Sequence, residues 1–256
     1  MIHLNEKLRL SRELTVSEWI NDPAELNRAA CPLCHAMEVL DFHADSHRTY
    51  LQCPVCRMVF VPANEHLPIE EERFHYEQHE NDPADPAYRR FLSRVFIPLV
   101  ERLPTKAVGL DFGCGPGPTL SVMFAEAGFR VENYDPAFAP RASVWDADYD
   151  FITATEVVEH LHRPRFELDR LWNRLKPGGW LAIMTSPLPS PETFASWHYK
   201  TEPTHVMFYA EETFHWLADH WTAHYEQVAK TVFLFQRGAT KSRGPSSAGE
   251  RDRISR

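Results

Sequence analysis

Leu110-Asp111-Phe112-Gly113-Cys114-Gly115-Pro116-Gly117 closes a short apolar run, residues 107–112, and leads into a helical stretch, residues 119–127. A strand that ends in three alternating glycines and runs into a helix puts bare backbone at the carboxyl edge of a parallel sheet, where α/β folds bind small ligands. Two common uses of such a loop do not fit. A dinucleotide fingerprint needs its third glycine at position 118, which is Pro118. A phosphate-binding loop needs a Lys and then Ser or Thr after the glycines, and Pro118-Thr119 supplies no Lys. What is left is an acidic residue two positions before the first of three alternating glycines.

The pattern around this loop alternates. Downstream, residues 130–134 and 151–155 read as strands. Residues 166–175 read as a helix with Leu168, Leu171, Trp172 and Leu175 inward, followed by a turn at Lys176-Pro177-Gly178-Gly179 and a strand at 180–184. A further helix at 211–220 and a closing strand at 231–236 follow. Upstream, Tyr88, Phe91, Leu92, Val95, Phe96, Leu99, Val100 and Leu103 recur at i, i+3, i+4 spacing, which predicts an amphipathic helix kinked by Pro98 and stopped before Pro104. Residues 70–80 have helical composition. Strands and helices alternating at this length predict an α/β fold: a parallel sheet covered by helices on both faces.

Asp111, Gly113, Gly115 and Gly117, with an acidic residue ending the next strand at Asp135, resemble the class I S-adenosylmethionine-dependent methyltransferases. Three more stretches resemble the branch that contains ubiquinone-biosynthesis O-methyltransferases: residues 150–161 with Glu156, Glu159 and His160; residues 175–181; and Thr204-His205-Val206 followed by Phe208-Tyr209. The likeness covers residues 75–237. It implies a Rossmann-like, seven-stranded methyltransferase sheet and S-adenosylmethionine as cofactor, held by Asp111, Gly113, Gly115, Gly117, Asp135 and Glu156. Asp135 would accept both ribose hydroxyls, and Asp111 would orient the loop near the methionine end. The resemblance also expects an adenine contact after a third strand. Only fourteen residues separate Asp135 from Asp150, so that strand is abbreviated, with Asp146 as one candidate for the contact.

The sulfonium of such a donor is already a good leaving group. The enzyme's work is therefore to align nucleophile and methyl, exclude water, and take a proton when the acceptor is a hydroxyl or an activated carbon. Histidine suits the last task at neutral pH. His160, just past the fourth strand, and His205, after the fifth, are the candidate bases, each weighed against a plain loop-fixing role. Glu159 reads as a solvated or capping side chain. Trp197, Tyr199, Phe208 and Tyr209 offer either an aromatic wall for the acceptor or core packing, and Cys114 reads as a small packing residue.

Cys31-Pro32-Leu33-Cys34 and Cys53-Pro54-Val55-Cys56, eighteen residues apart, have the spacing of a four-cysteine zinc site. Disulfides fit poorly with five cysteines and no export signal. Four thiolates fill a tetrahedron, so Zn2+ here is read as structural, holding a small ribbon of antiparallel strands at 37–42, 48–52 and 57–61. The expected organisation is an N-terminal segment (1–28), the zinc ribbon (29–62), a linker that covers the cofactor (63–86), the methyltransferase domain (87–237) and a disordered tail (238–256).

The chain has 256 residues and a net charge of −9. Residues 1–80 hold 7 Lys/Arg against 14 Asp/Glu, and residues 81–237 hold 15 against 20. Neither segment has the basic surplus that phosphate neutralisation needs, so nucleic acid is disfavoured as a partner. With no apolar run of membrane length and no secretory leader, a cytoplasmic setting is expected. The reading is a methyltransferase acting on the O, N or C atom of a small molecule, with the ribbon available to a protein partner. The alternatives are an RNA base methyltransferase and a non-catalytic methyltransferase-like scaffold.

Overall fold

The structure, a computed structural model, describes residues 30–78 and 81–239. The N-terminal segment 1–28 and most of the expected tail lie outside the described residues. In chain order the elements are β1 (Leu40–Ala44), β2 (Thr49–Gln52), β3 (Val59–Phe60), α1 (Ile69–Glu77), α2 (Pro86–Val100), β4 (Val108–Phe112), α3 (Thr119–Glu126), β5 (Arg130–Tyr134), β6 (Tyr149–Thr155), α4 (Pro164–Asn173), β7 (Leu175–Met184), α5 (Pro191–Phe194), β8 (Met207–Phe208), α6 (Glu211–Trp221), β9 (His224–Ala229) and β10 (Val232–Gln236).

The main sheet has the order β5-β4-β6-β7-β10-β9. β5, β4, β6 and β7 are parallel, while β10 and β9 return antiparallel. The α/β expectation holds, with one strand fewer than the seven expected among the described residues. Between Asp135 and Tyr149 the chain makes a single bridge, Asp135 to Ala139, and a 3-10 helix over Ala142–Asp146. That span is too short for a strand and its return helix.

Helix α2 begins at Pro86, two residues ahead of Tyr88, where the expected apolar pattern starts. Pro86 occupies the first turn, and the Asp85 carboxylate accepts the Ala87 and Tyr88 amides at 2.8 and 3.3 Å. Its Leu92, Val95 and Leu99 join Phe124 of α3 and Phe151 and Trp180 of the sheet in the core on one face. The other face is covered by Leu168, Leu171 and Trp172 of α4 and by Phe214, Leu217 and Trp221 of α6. One reading is corrected in this region, and one strand, β9, was not expected. Residues 176–179 do not form a separate turn but belong to β7, as a register shift against β6 with Gly178 at φ +82°. β9, an edge strand of polar and half-exposed residues, carries little of the apolar alternation that marks a strand.

The cysteine-bearing segment is not a separate appendage. Its hairpin β1-β2 and strand β3 continue into β8 through the pairs Val59–Phe208 and Phe60–Met207, so one four-stranded sheet crosses the expected boundary at residue 62. Cys31, Leu33, Tyr50 and Met58 share a core with Phe194, Phe208 and Tyr209.

Candidate functional site

The glycine loop follows β4 as expected. Gly113 and Gly115 have φ of +72° and +63°, and the Gly113 amide donates to Tyr134 O at 2.7 Å. A Cβ on Gly113 would lie 2.3 Å from the Val157 side chain, and one on Gly117 would lie 1.8 Å from the Asn81 carbonyl oxygen. These two positions are glycine because other parts of the chain press against them. Asp111 is buried behind the loop and accepts Thr153 Oγ1 at 2.7 Å and Ser121 Oγ at 3.2 Å, while burial pushes its carboxyl up to about 6. It ties β4, β6 and α3 together from behind the cleft wall.

Asp135, at the end of β5, holds its own loop. Its Oδ1 accepts the amides of Ala137 and Phe138 at 2.8 and 3.1 Å, and its Oδ2 accepts the Gly115 amide at 3.1 Å. Of the roughly four acceptor positions on a carboxylate, three are taken, which leaves room for one more donor at Oδ2. Beyond it, Tyr134, Trp145 and Asp146 continue the wall of a cleft of about 2500 Å³ that also takes in Gly113 to Pro116, Asn81, Tyr88 and Phe91.

Glu156, His160, Tyr199 and His205 line the same cleft. Glu156 leaves the end of β6 at φ +52°, a left-handed conformation rare for Glu, and burial pushes its carboxyl up to about 8 with the Glu159 charge adding to the effect. Glu159, read from sequence as solvated or capping, is fully buried. Its Oε2 accepts Thr185 Oγ1 at 3.0 Å, and its Oε1 accepts the Tyr199 hydroxyl, which also reaches Glu156 Oε2 at 3.3 Å. Alternation around a 3-10 turn such as Val158–His160 does not announce which side chain turns inward, so sequence reasoning missed Glu159 and the Tyr199 hydroxyl.

The two candidate histidines come together, with ring centroids 4.7 Å apart. His205 Nδ1 faces the Tyr199 carbonyl at 2.7 Å and His160 Nδ1 faces that of Thr204 at 3.1 Å. A carbonyl only accepts, so each Nδ1 carries the proton and each Nε2 is the basic nitrogen. Glu159, His160 and His205 bring one ligand atom each within 4.8 Å of one another. Burial, helped by His160, lowers the His205 imidazole to about 4 against the pull of Glu159, so it is neutral near pH 7.

The four cysteines converge as well. Cys31 and Cys56 sulfurs are 3.5 Å apart, Cys34 and Cys53 sulfurs 3.3 Å apart, and all four lie within 4.8 Å of one another. A tetrahedral zinc with bonds of about 2.3 Å would space its sulfurs by about 3.8 Å, so the group fits that ion. The two turns repeat each other. In both, the residue after the second cysteine, His35 or Arg57, is left-handed at φ +61° or +63° and donates its amide to the carbonyl of the first cysteine at 3.0 Å.

A family model described as a methyltransferase domain matches residues 81–221, more than half of the chain. The chain belongs to that family. It is a class I S-adenosylmethionine-dependent methyltransferase, with a four-cysteine cluster ahead of the catalytic fold. No curated protein matches the sequence. Among solved structures, the methyltransferase is similar to an O-methyltransferase family protein from Burkholderia thailandensis, at 14% identity over 68% of this chain and 70% of that one, with a TM-score of 0.43. It is also similar to the YcgJ protein from Bacillus subtilis, at 15% identity over 55% and 71% of the two chains with a TM-score of 0.42, and to the PH0226 protein from Pyrococcus horikoshii, at 15% identity over 65% and 99% with a TM-score of 0.43. Among the described residues no helix is long and apolar enough to cross a membrane.

Proposed function

We propose that this methyltransferase alkylates an O, N or C atom of a small molecule bound between the glycine loop and the segment 197–205. The observation that carries the reading is that the Gly113–Pro116 backbone and the Glu156, His160, Tyr199, His205 group line one cleft. S-adenosylmethionine, when bound, supplies an electrophilic methyl on a sulfonium. The chain's own residues do the rest. Gly113 to Gly115 and Asp135 offer close backbone and a carboxylate to the donor's sugar and methionine ends. Tyr134, Trp145 and Asp146 stand where its base would lie, and Tyr88 and Phe91 exclude water. On the acceptor side, Nε2 of His205 or His160 takes the acceptor's proton, and a Glu159 carboxyl oxygen lies within 4.8 Å of a ring nitrogen of each.

The four-cysteine site is assigned to structural Zn2+, since all four tetrahedral positions are filled by thiolates. An RNA acceptor is a weaker reading. The cleft carries five arginines against seven carboxylates, and Arg73, Arg165 and Arg174 lie within ion-pairing distance of Glu77, Asp169 and Asp148. Among the described residues lining the cleft, acidic groups outnumber basic ones, the opposite of what phosphate contacts would require.

Titration of zinc-loaded protein with S-adenosylmethionine in a calorimeter tests the donor half, and Asp135→Ala is expected to weaken binding by about 1–3 kcal/mol through loss of a charged acceptor. Absence of binding to the wild type would leave the non-catalytic scaffold as the surviving reading. Incubation with labelled donor and a metabolite extract, followed by mass identification of the labelled product, tests the acceptor half.

A further inference from the structure

The hairpin turn of the cysteine-bearing segment reaches into the methyltransferase fold at one residue. Arg48 Nη1 donates to the carbonyls of Pro203 and His205 at 3.1 and 2.9 Å, and its Nη2 donates to Glu202 O at 3.2 Å and to Lys200 O. Four carbonyls of a single six-residue stretch thus converge on one guanidinium. That stretch, 200–205, carries His205 and joins directly to Tyr199, and both side chains line the cleft.

Arg48 is itself held firmly. The Asp45 carboxylate accepts the amides of His47 and Arg48 at 2.9 and 3.0 Å and turns its other oxygen to the Lys200 ammonium, which is buried. The guanidinium carbon lies 5.6 Å from the Tyr50 ring centroid. The Val61 amide donates to Val206 O at 2.9 Å, so the pairing of β3 with β8 begins one residue past His205.

We propose that Arg48 is a positioning residue for the acceptor side of the site: the ribbon hairpin clamps the backbone of 200–205 and thereby fixes where Tyr199 and His205 stand. A planar fork with five N–H donors can serve carbonyls that diverge around it, which a single ammonium cannot match. The 3-10 helix His198–Thr201 ends in carbonyls that face this cation, an arrangement favoured at any helical carboxyl end. Within the stretch the His205 amide donates to Glu202 O at 3.1 Å, while four of its carbonyls are gripped from outside by Arg48. The ribbon then acts as the frame of the acceptor wall, a role different from that of a free docking module. The inference rests on the proposed reading of Tyr199 and His205 as acceptor-side groups.

The test uses the full chain, zinc-loaded, as wild type, Arg48→Met and Arg48→Lys. Amide exchange over residues 198–206 is expected to quicken about tenfold or more in Arg48→Met, while residues 113–117 keep wild-type protection. Affinity for S-adenosylmethionine should stay within about twofold. The NMR signal of the His205 ring, shifted by the Tyr199 ring whose centroid lies 4.1 Å away, should move towards its unshifted position, and Arg48→Lys should restore part of that shift. An unmoved His205 signal with unchanged loop exchange in Arg48→Met would overturn the clamp. So would protection lost evenly across the main sheet, which would make Arg48 a general stabiliser. If the wild type failed to bind the donor, the functional reading would fall while the loop and ring measurements would still decide what Arg48 positions.

Discussion

Glu156 shows how a single side chain carries a cost that the fold tolerates for the sake of its site. Its carboxyl, ordinarily near 4.5, is pushed up to about 8 by burial and by the neighbouring Glu159. A group whose folded-state value is raised contributes fully below its unfolded value, and that contribution is lost as pH rises through the folded value. The wild type should therefore lose stability between pH 4.5 and 8 on account of this residue. Glu156→Gln keeps an acceptor for Tyr199 and removes the ionisation. We expect it to match the wild type near pH 4 and to exceed it by about 2–4 kcal/mol at pH 8, measured by urea unfolding at both values. An equal difference at the two pH values would show that the effect is packing and not ionisation. The position of Glu156 at the end of β6 was legible in the sequence. The inward turn of Glu159 was not, because a 3-10 turn reads alike whichever way its side chains point.

At the scale of elements, the joint between the hairpin β1-β2 and the segment 197–205 depends on a buried ion pair. Although burial works against it, the Lys200 ammonium and the His47 and Arg48 amides hold the Asp45 carboxyl well below the usual carboxylate range. Lys200 is 5% exposed, so removal of its partner strands a charge. Asp45→Asn is expected to cost about 3 kcal/mol, and the double variant Asp45→Asn, Lys200→Met to regain most of it, because an apolar pair avoids the desolvation penalty. A double variant no more stable than the single one would show that Lys200 is not the stranded group. The elements α2, β4, α3, β5, β6, α4 and β10 were readable from periodicity and turn residues. β8 was not, since two residues whose partners lie far back in the chain leave no local pattern.

For the whole molecule, the cysteine cluster and the methyltransferase sheet are expected to unfold together. Cys31, Cys53 and Cys56 sit in the same core as Leu168, Phe208 and Phe235, and β3 pairs with β8 across the boundary at which separate domains were expected. Chelation should therefore lower Tm by about 10 °C or more in one transition, seen alike by tryptophan fluorescence and far-UV circular dichroism. Two separated transitions would restore an independent ribbon. The sequence by itself determined the glycine loop, the acid that ends β5, the two Cys-x-x-Cys turns and the alternation that makes an α/β sheet, because each is a local relation between neighbours along the chain. Only the tertiary structure decided that Arg48 of the β1-β2 hairpin grips the backbone of 200–205, that Asp111 stands behind the loop, and that two histidines and a buried glutamate meet at one point. Those contacts join residues tens to more than a hundred and fifty positions apart, and the packing that brings them together has no counterpart in any short stretch of sequence.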